Sequence, residues 1–189
     1  MPLSKQHKVE TRSRILREAG ALFRRDGVDG VSVPALMKQA GLTHGGFYAH
    51  FSSKDALVAE ALTDAQDRSS DYLKDLVRHA KDPVVTVIDA YVSALHRDHP
   101  ESGCAVAALG SEAARGETET KRSMAREVKK AVERLSETAE LGPDGQDDAL
   151  ALFAGMVGAL VLARASGDDR AFSDHVIEVC RDRLKKMVG

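Results

Sequence analysis

Residues 33–52 read VPALMKQAGLTHGGFYAHFS, and this stretch decides the fold of the N-terminal part of the chain. Ser32 precedes Pro34 at a helix start, where a hydroxyl caps free amides and proline loses no helical hydrogen bond. Gly41 stands where that helix must end, because glycine adopts the left-handed backbone conformation at low cost. Thr43 can cap a second short helix directly after the turn. The pattern therefore predicts a helix-turn-helix.

The second short helix has an unusual composition. Phe47 and Phe51 supply apolar contacts that set the angle between the two helices. The other positions are expected to face outward: His44, Gly45, Gly46, Tyr48, Ala49 and His50. Two adjacent glycines weaken a helix by roughly 1 kcal/mol each relative to alanine, so they indicate close approach of another molecule to the backbone. Taken singly, the tyrosine or either histidine has an alternative explanation as an amphipathic, partly buried side chain.

Residues 41–51, GLTHGGFYAHF, followed by SKDAL at 53–57, resemble the signature of the TetR family of bacterial transcriptional regulators. The resemblance covers residues 11–62 and implies a DNA-binding head in which hydroxyl, imidazole and ammonium groups grip phosphates. This chain has Gly46 where many relatives carry a hydroxyl residue, which shifts weight from base reading to DNA shape. The predicted DNA-binding residues are Ser32, Lys38, Thr43, His44, Gly45, Gly46, Tyr48, Ala49, His50 and Lys54.

Lys54 has a further argument of its own. A lysine is unfavourable at the positive end of a helix dipole, so a phosphate opposite it would explain its place at the start of a helix. The alternative is an ordinary exposed residue. The basic residues Lys5, Lys8, Arg12 and Arg14 are interpreted as an arm that reaches the DNA backbone or minor groove.

The charges are unevenly distributed along the chain. The net charge is −2, but residues 1–60 hold nine Lys and Arg against six Asp and Glu, which leaves an acidic remainder. One basic end and one acidic end indicate a molecule that meets DNA with one lobe. The acidic remainder argues against the alternative of a non-regulatory architectural DNA binder, for which a uniformly basic surface is typical.

Composition and periodicity predict an all-α protein, and the resemblance implies an N-terminal three-helix head and a larger C-terminal helical bundle for ligand binding and dimerisation. The chain has 189 residues, 43% of them hydrophobic, and only five prolines. The expected divisions are a DNA-binding domain over 1–53, a connecting helix over 54–82 and an effector and dimerisation domain over 83–189. No charged segment precedes an apolar leader, which predicts a cytoplasmic location, and the two distant cysteines are expected to be reduced thiols.

Caps and breaks predict the bounds of the remaining helices. The expected helices are Val9–Asp26, Lys54–Lys81, Val84–Arg97, Gly103–Arg115, Glu117–Glu140, Asp144–Gly167 and Arg170–Val188. The apolar segment 149–163 falls short of the ~20 residues that span a bilayer, so it is interpreted as a buried helix.

The family resemblance implies that the last two helices pair with their copies in a homodimer. The predicted interface residues are Gly155, Gly158, Ala159, Phe172, Val176 and Val179. Packing within one chain accounts equally well for the apolar content of either helix alone. A dimer is favoured because one small head reads little DNA, and two heads about 34–36 Å apart match successive major-groove faces.

A cavity in the second lobe is the predicted effector site. Its candidate lining residues are Tyr91, His96, Cys104, Leu109, Glu112, Phe153 and Met156, with Glu112 or His96 as the polar anchor. Packing in a core is the alternative that residue type favours for each of them. Cys104 follows Ser102 and Gly103 at a predicted helix start, where the dipole favours a thiolate, so it is a candidate electrophile or oxidant sensor; a small buried hydrophobe is the alternative. No cofactor and no metal are predicted, since the spacing of His96, His99 and Cys104 matches no standard metal site.

These features predict a DNA-binding transcriptional regulator that is not an enzyme. The resemblance implies a repressor released from a palindromic operator by a small-molecule or electrophile inducer. A helical enzyme with Cys104 as nucleophile and His96 or His99 as base is a rival of another class. The sequence offers it no nucleophile elbow, phosphate loop or HExxH helix.

Overall fold

The computed structural model describes residues 5–140 and 145–188, and within these ranges the chain is helical without strands. The helices are α1 Lys5–Asp26, α2 Val33–Gln39, α3 Lys54–Val77, α4 Pro83–Tyr91, α5 Ala94–Asp98, α6 Ala105–Ala113, α7 Thr118–Thr138, α8 Gln146–Ala165 and α9 Arg170–Lys185. Two 3₁₀ turns occur at His44–Ala49 and Pro100–Ser102. The all-α fold class is confirmed. The expected start of a helix at Asp144 lies outside the described residues.

The turn between α2 and the following segment forms as its residues predict. The Ser32 hydroxyl accepts a hydrogen bond from the Ala35 N–H at 3.3 Å. Gly41 adopts a φ of +68°, and the Leu42 N–H donates to the Met37 carbonyl at 2.8 Å. This left-handed residue reverses the chain and sets the direction of the next segment.

The second short helix differs from expectation in its geometry. His44–Ala49, here called the recognition segment, is a 3₁₀ helix rather than an α-helix. Thr43 precedes it with extended backbone, but its side chain makes no capping hydrogen bond, so the predicted cap is wrong. A short segment with two adjacent glycines has little intrinsic helix stability, which favours the tighter turn.

Two cores run through the molecule, and the first joins the head to the larger lobe. Its large, fully buried members in the head and α3 are Ile15, Phe23, Leu36, Met37, Phe47 and Leu57. Leu109 of α6 and Met124 of α7 belong to the same core. The second core lies between α4, α7, α8 and α9. The head is therefore packed directly against the lobe, and the domain boundaries at 53 and 82 stay a prediction.

Most predicted helices have different bounds in the structure, and α1, for example, begins at Lys5 instead of Val9. The long helix stops at Val77 instead of Lys81. The helix expected over Val84–Arg97 is broken, because Val92 leaves helical geometry with a ψ of 72°. Ser93 then starts α5, its hydroxyl accepting from the His96 N–H at 3.1 Å. A serine that caps a new helix competes with continuation of the old one, which explains the break.

The apolar segment 149–163 lies within α8, whose 20 residues fall inside the helix expected over 144–167. With a mean hydropathy of 1.7, α8 is long and apolar enough to cross a membrane by those two measures, so the length of the apolar segment does not exclude a span. Its face with Leu152, Met156 and Leu160 is nevertheless buried in the second core, and a core helix passes the same test.

Candidate DNA-binding surface

One buried ring anchors the recognition segment to the head. Phe47 is only 1% exposed, and it stacks on Phe51 with ring centroids 5.8 Å apart. Tyr48 meets the Phe47 ring edge-on at 5.2 Å while remaining 69% exposed. The buried Phe47 ring therefore holds the recognition segment against the head, and the neighbouring Tyr48 side chain is exposed to solvent.

Neither glycine of the recognition segment is required by the fold. A Cβ on Gly45 would meet no described atom within 4 Å, and a Cβ on Gly46 would make only ordinary contacts with Met37 and Thr43, at 3.8 and 3.9 Å. Among described glycines only Gly27 and Gly41 have positive φ. Because neither crowding nor backbone geometry explains Gly45 and Gly46, they leave this surface open to close approach.

His50 follows the recognition segment in a strongly basic setting. Its Nδ1 atom is buried and has no hydrogen-bond partner within the described ranges. Burial, with the nearby charges of Lys8 and Arg12, lowers the pKa of the imidazole. An anion placed against this ring would satisfy the nitrogen and reverse the direction of that shift.

The basic arm expected at the N-terminus is largely helical and fixed. α1 already includes Lys5 and Lys8. Arg12 forms an ion pair with Glu60, and its guanidinium lies 4.6 Å from the centre of the Phe51 ring. These contacts hold Arg12 against the head, so a free arm is the wrong description of this residue.

Lys54 has a main-chain partner that the sequence did not reveal. Its Nζ atom donates to the Val28 carbonyl at 2.6 Å. Ser53 caps α3 by accepting from the Ala56 N–H at 3.0 Å. A carbonyl thus explains part of the placement that was attributed to a phosphate. An ammonium has three donors, so this contact leaves donors for a second acceptor.

The predicted DNA-binding residues lie on α2, on the recognition segment and the residues next to them, and at the start of α3. The exposed ones are Ser32, Lys38, Thr43, His44, Gly45, Tyr48 and Ala49, and the half-buried ones are Gly46, His50 and Lys54. The surface is therefore continuous in sequence and accessible. Contact of each residue with DNA stays a prediction.

Four of the predicted effector residues line one cavity of about 120 Å³ between α3, α4, α7 and α8: Tyr91, Cys104, Phe153 and Met156. Sequence reasoning missed the contributions of Gln66, Ser70 and Arg134. Polar residues on amphipathic helices normally face water, so no local pattern distinguished these three.

His96 lies beside this cavity and is a structural residue. Its Nδ1 atom pairs with the Tyr91 carbonyl at 2.8 Å, and its Nε2 atom accepts the Cys104 N–H at 3.0 Å. Burial lowers the pKa of the ring to about 4. The ring lines a neighbouring hollow of about 300 Å³ but is no free polar anchor, which corrects its predicted role.

Leu109 and Glu112 lie away from the cavity. Leu109 is buried in the first core, and the Glu112 Oε2 atom accepts the Val28 N–H at 2.7 Å. Both residues of α6 thus join the lobe to the head and line a separate cavity of about 150 Å³, so their assignment to one site with Tyr91 and Cys104 is wrong. A long-range contact between a side chain and a loop amide leaves no trace in local sequence.

Of the six predicted dimer residues, two are exposed, three are half-buried and one is buried. Phe172 and Val179 are 52% and 41% exposed, and Gly158 is half-buried with open space beside it. Ala159 is 2% exposed in the second core, so it is not available to a partner. A Cβ on Gly155 would come within 2.7 Å of Leu184, which shows that this glycine admits α9 of the same chain. Val176, also half-buried, packs on the second core.

The N-terminal part of the chain is similar to known bacterial regulators. Residues 15–61 match the family model described as bacterial regulatory proteins, tetR family. Two curated relatives are an uncharacterized HTH-type transcriptional regulator of Bacillus subtilis, YdgC, 39% identical over 64 residues, and the HTH-type transcriptional regulator AcrR of Shigella flexneri, 42% identical over 57 residues. The matches cover 34% and 30% of this chain, and 33% and 26% of those relatives.

Two solved structures are similar along nearly the whole chain. Reduced E. coli NemR superimposes with a TM-score of 0.76 at 22% identity, covering 94% of this chain and 96% of that one. A TetR transcriptional regulator from Chloroflexus aurantiacus gives 0.79, also at 22% identity, covering 97% and 96%. At this identity the likeness concerns the fold, and it extends through the second lobe.

Proposed function

We propose that the chain, whose residues 15–61 match the family model described as bacterial regulatory proteins, tetR family, is a sequence-specific DNA-binding transcriptional regulator. The observation that carries this proposal is the recognition segment, which presents Tyr48, His44 and two sterically unneeded glycines on a buried aromatic anchor. Flanking groups of Thr43 and His50 grip the phosphates beside it. The cytoplasm is the matching location.

Selection of bound fragments from random duplex DNA tests this proposal. A single enriched palindrome, protected in footprinting, is the expected result. Diffuse coverage would favour an architectural DNA binder, and no protection at low ionic strength would refute DNA binding. Increased transcription from the selected site in a reporter would identify an activator in place of the repressor that we propose.

A homodimer supplies the two heads that a palindrome needs. Large apolar side chains stand exposed on α8 and α9, a pattern that favours burial against a second copy. These are Leu150, Val161, Leu162, Phe172 and Val179. Sedimentation of the purified protein is expected to give a dimer, and Phe172→Asp is expected to shift it toward monomer. A monomeric wild-type chain at micromolar concentration would contradict this arrangement.

Release from DNA by a small molecule or an electrophile is the proposed mode of regulation. The cavity supports the first, and Cys104 supports the second because it lines this cavity, where its Sγ atom donates to Gln66 Oε1 at 3.7 Å. Cys104→Ser is expected to abolish release by an electrophile such as N-ethylmaleimide while leaving DNA binding intact. Normal release of the variant by this reagent would rule out sensing at Cys104.

A regulator is favoured over a helical enzyme by the geometry around Cys104. Both ring nitrogens of His96 are engaged with main-chain groups, so this ring is not free to accept the thiol proton. His99 is exposed and contacts Glu101 at 3.1 Å. A nucleophile and base pair of the kind that covalent catalysis needs is therefore not assembled by these residues.

A further inference from the structure

The cavity between α3, α4, α7 and α8 contains two polar groups whose hydrogen-bonding capacity is unused. The Tyr91 hydroxyl is buried without a hydrogen-bond partner in the described chain, on a residue that is only 5% exposed. The Arg134 Nη2 atom is also buried and also unpartnered there. Both residues line the cavity. Buried polar groups are normally satisfied, so this pair indicates a missing acceptor.

The charge of the missing acceptor follows from Arg134. Among the described residues, Arg134 forms no ion pair, although a guanidinium is always protonated. The other charged residues at the cavity, Lys74 and Glu137, are exposed, and Lys74 lies 3.6 Å from Asp71. One partly buried cation is matched by one negative charge, whereas a dianion would leave a charge uncompensated.

Tyr91 is suited to donate to such an anion. Burial raises the pKa of its hydroxyl, and the neighbouring Cys104 thiol acts in the same direction. The hydroxyl therefore keeps its proton at neutral pH. A hydroxyl and a planar guanidinium together match the two oxygens of a carboxylate.

The rest of the cavity wall is apolar. Leu73, Val87, Leu135, Phe153 and Met156 line it, with no other buried cation among the described lining residues. The neighbouring hollow of about 300 Å³ shares Ser69, Leu73 and Tyr91 with the cavity and carries the exposed Leu95 at its rim. The two spaces together accommodate a polar head with an apolar tail that continues outward.

We propose that this cavity binds an amphipathic monocarboxylic acid, whose carboxylate accepts hydrogen bonds from the Arg134 guanidinium and the Tyr91 hydroxyl. The apolar part of the acid packs on Phe153 and Met156 and extends past Leu73 into the hollow. The acid is the inducer of the regulator proposed above, so its regulatory role rests on that function, while its binding does not.

Calorimetric titration of the full chain with matched acids and alcohols tests the site. The probes are hexanoate, octanoate and 4-phenylbutanoate, each paired with the alcohol of the same carbon skeleton. At least one acid is expected to bind about tenfold or more tightly than its alcohol, because a charge-assisted hydrogen bond is lost in the alcohol. If no acid binds more tightly than its alcohol, the proposal is overturned.

Three variants assign the preference to its residues. Arg134→Met is expected to remove the preference for the acid while binding of the alcohol is retained, and Tyr91→Phe is expected to reduce it severalfold. Arg122→Met, which changes an exposed arginine on the same helix, is the matched control and keeps the preference. A preference retained in folded Arg134→Met would refute the site, and if that variant does not fold, unchanged selectivity in Tyr91→Phe would do so.

DNA binding is measured separately, without acid, on the same protein preparations. A selected operator together with no acid preference would overturn this inference and leave the proposed function standing. An acid preference together with no bound duplex would overturn the proposed function and leave the site standing. Release of the operator by the binding acid, lost in Arg134→Met, would support both.

Discussion

The recognition segment and the cavity hold their polar groups in opposite ways. Tyr48 and its neighbours project into solvent from one buried ring, so water satisfies them in the free protein. Tyr91 and Arg134 are withdrawn from water without partners in the described chain. The first surface costs little to maintain, and the phosphate contacts that we propose for it would add affinity, whereas the second is costly without the ligand that we propose. Mutations at the two sites are therefore expected to differ in how much they change the free energy of unfolding and how much they change binding.

The largest expected effect comes from removing the anchor of the recognition segment. Phe47→Ala is expected to lower the free energy of unfolding by about 3–5 kcal/mol, because a fully buried aromatic ring is replaced by a cavity. Tyr48→Ala, at the exposed neighbour, is expected to change it by less than about 0.5 kcal/mol while still weakening DNA binding. Urea denaturation and duplex titration measure the two quantities. Equal losses of stability in both variants would erase the distinction between anchor and contact.

In the lobe, the free energy of unfolding is expected to depend on pH through His96. The folded pKa of His96 is about 4, below its unfolded value near 6.5, so protonation favours the unfolded chain. The stabilisation by the neutral ring is complete above the unfolded pKa and is lost as the pH falls toward the folded one. From pH 7 to pH 5 this residue is expected to remove about 2 kcal/mol from the free energy of unfolding.

His96→Gln tests this pH dependence because glutamine does not titrate. The gap in unfolding free energy between wild type and variant is expected to shrink by about 2 kcal/mol on acidification to pH 5. His79→Gln, at an exposed histidine, should follow the wild-type curve. Parallel curves for wild type and His96→Gln would mean that folding does not lower the pKa of this ring.

A smaller effect is expected at Lys54. Lys54→Ala should weaken binding to all duplexes alike and reduce the salt slope of DNA binding by about one unit, since one phosphate contact is removed. Lys121→Ala, at an exposed lysine of α7, is the control and should leave the slope unchanged. Loss of sequence preference at constant affinity would show instead that Lys54 reads bases.

The smallest expected effect, with opposite signs for stability and binding, is at Gly45. Gly45→Ala is expected to raise the free energy of unfolding by up to about 1 kcal/mol, because alanine loses less conformational entropy on folding. It is also expected to weaken DNA binding, since the added methyl group lies on the open surface. Gly41→Ala is the comparison and should destabilise the chain, because its φ of +68° strains any Cβ. Unaltered DNA affinity in Gly45→Ala would show that DNA does not approach the backbone closely at this glycine.

Much of the head could be predicted because its signals are local. The Ser32 cap, the left-handed Gly41 and the buried Phe47 act within a few residues of their own positions. The 3₁₀ geometry at His44–Ala49 was missed because propensity does not distinguish two tight helical turns over so short a segment. The fold class followed from periodicity over the whole chain, which tolerates such local errors.

The lobe could be predicted only in part, because its site is assembled from distant elements. Tyr91 and Phe153 were recognised as aromatic residues in apolar surroundings. Arg134 was not, since a charged residue on an amphipathic helix is ordinarily solvated. His96 was assigned a free ring, yet it is held by main-chain groups that only folding brings near it.

The hydrogen bonds of Val28 bear on which parts of the chain can change during evolution. Its N–H donates a hydrogen bond to Glu112 of α6, and its carbonyl accepts one from Lys54 of α3. One loop residue is therefore bonded both to the lobe and to a residue of the predicted DNA-binding surface. Gly27 beside it leaves space that a Cβ would fill against the same carboxylate, at 3.0 Å. None of these contacting residues lines the cavity between α3, α4, α7 and α8. Substitutions that change the chemical selectivity of the cavity therefore leave this contact between head and lobe intact.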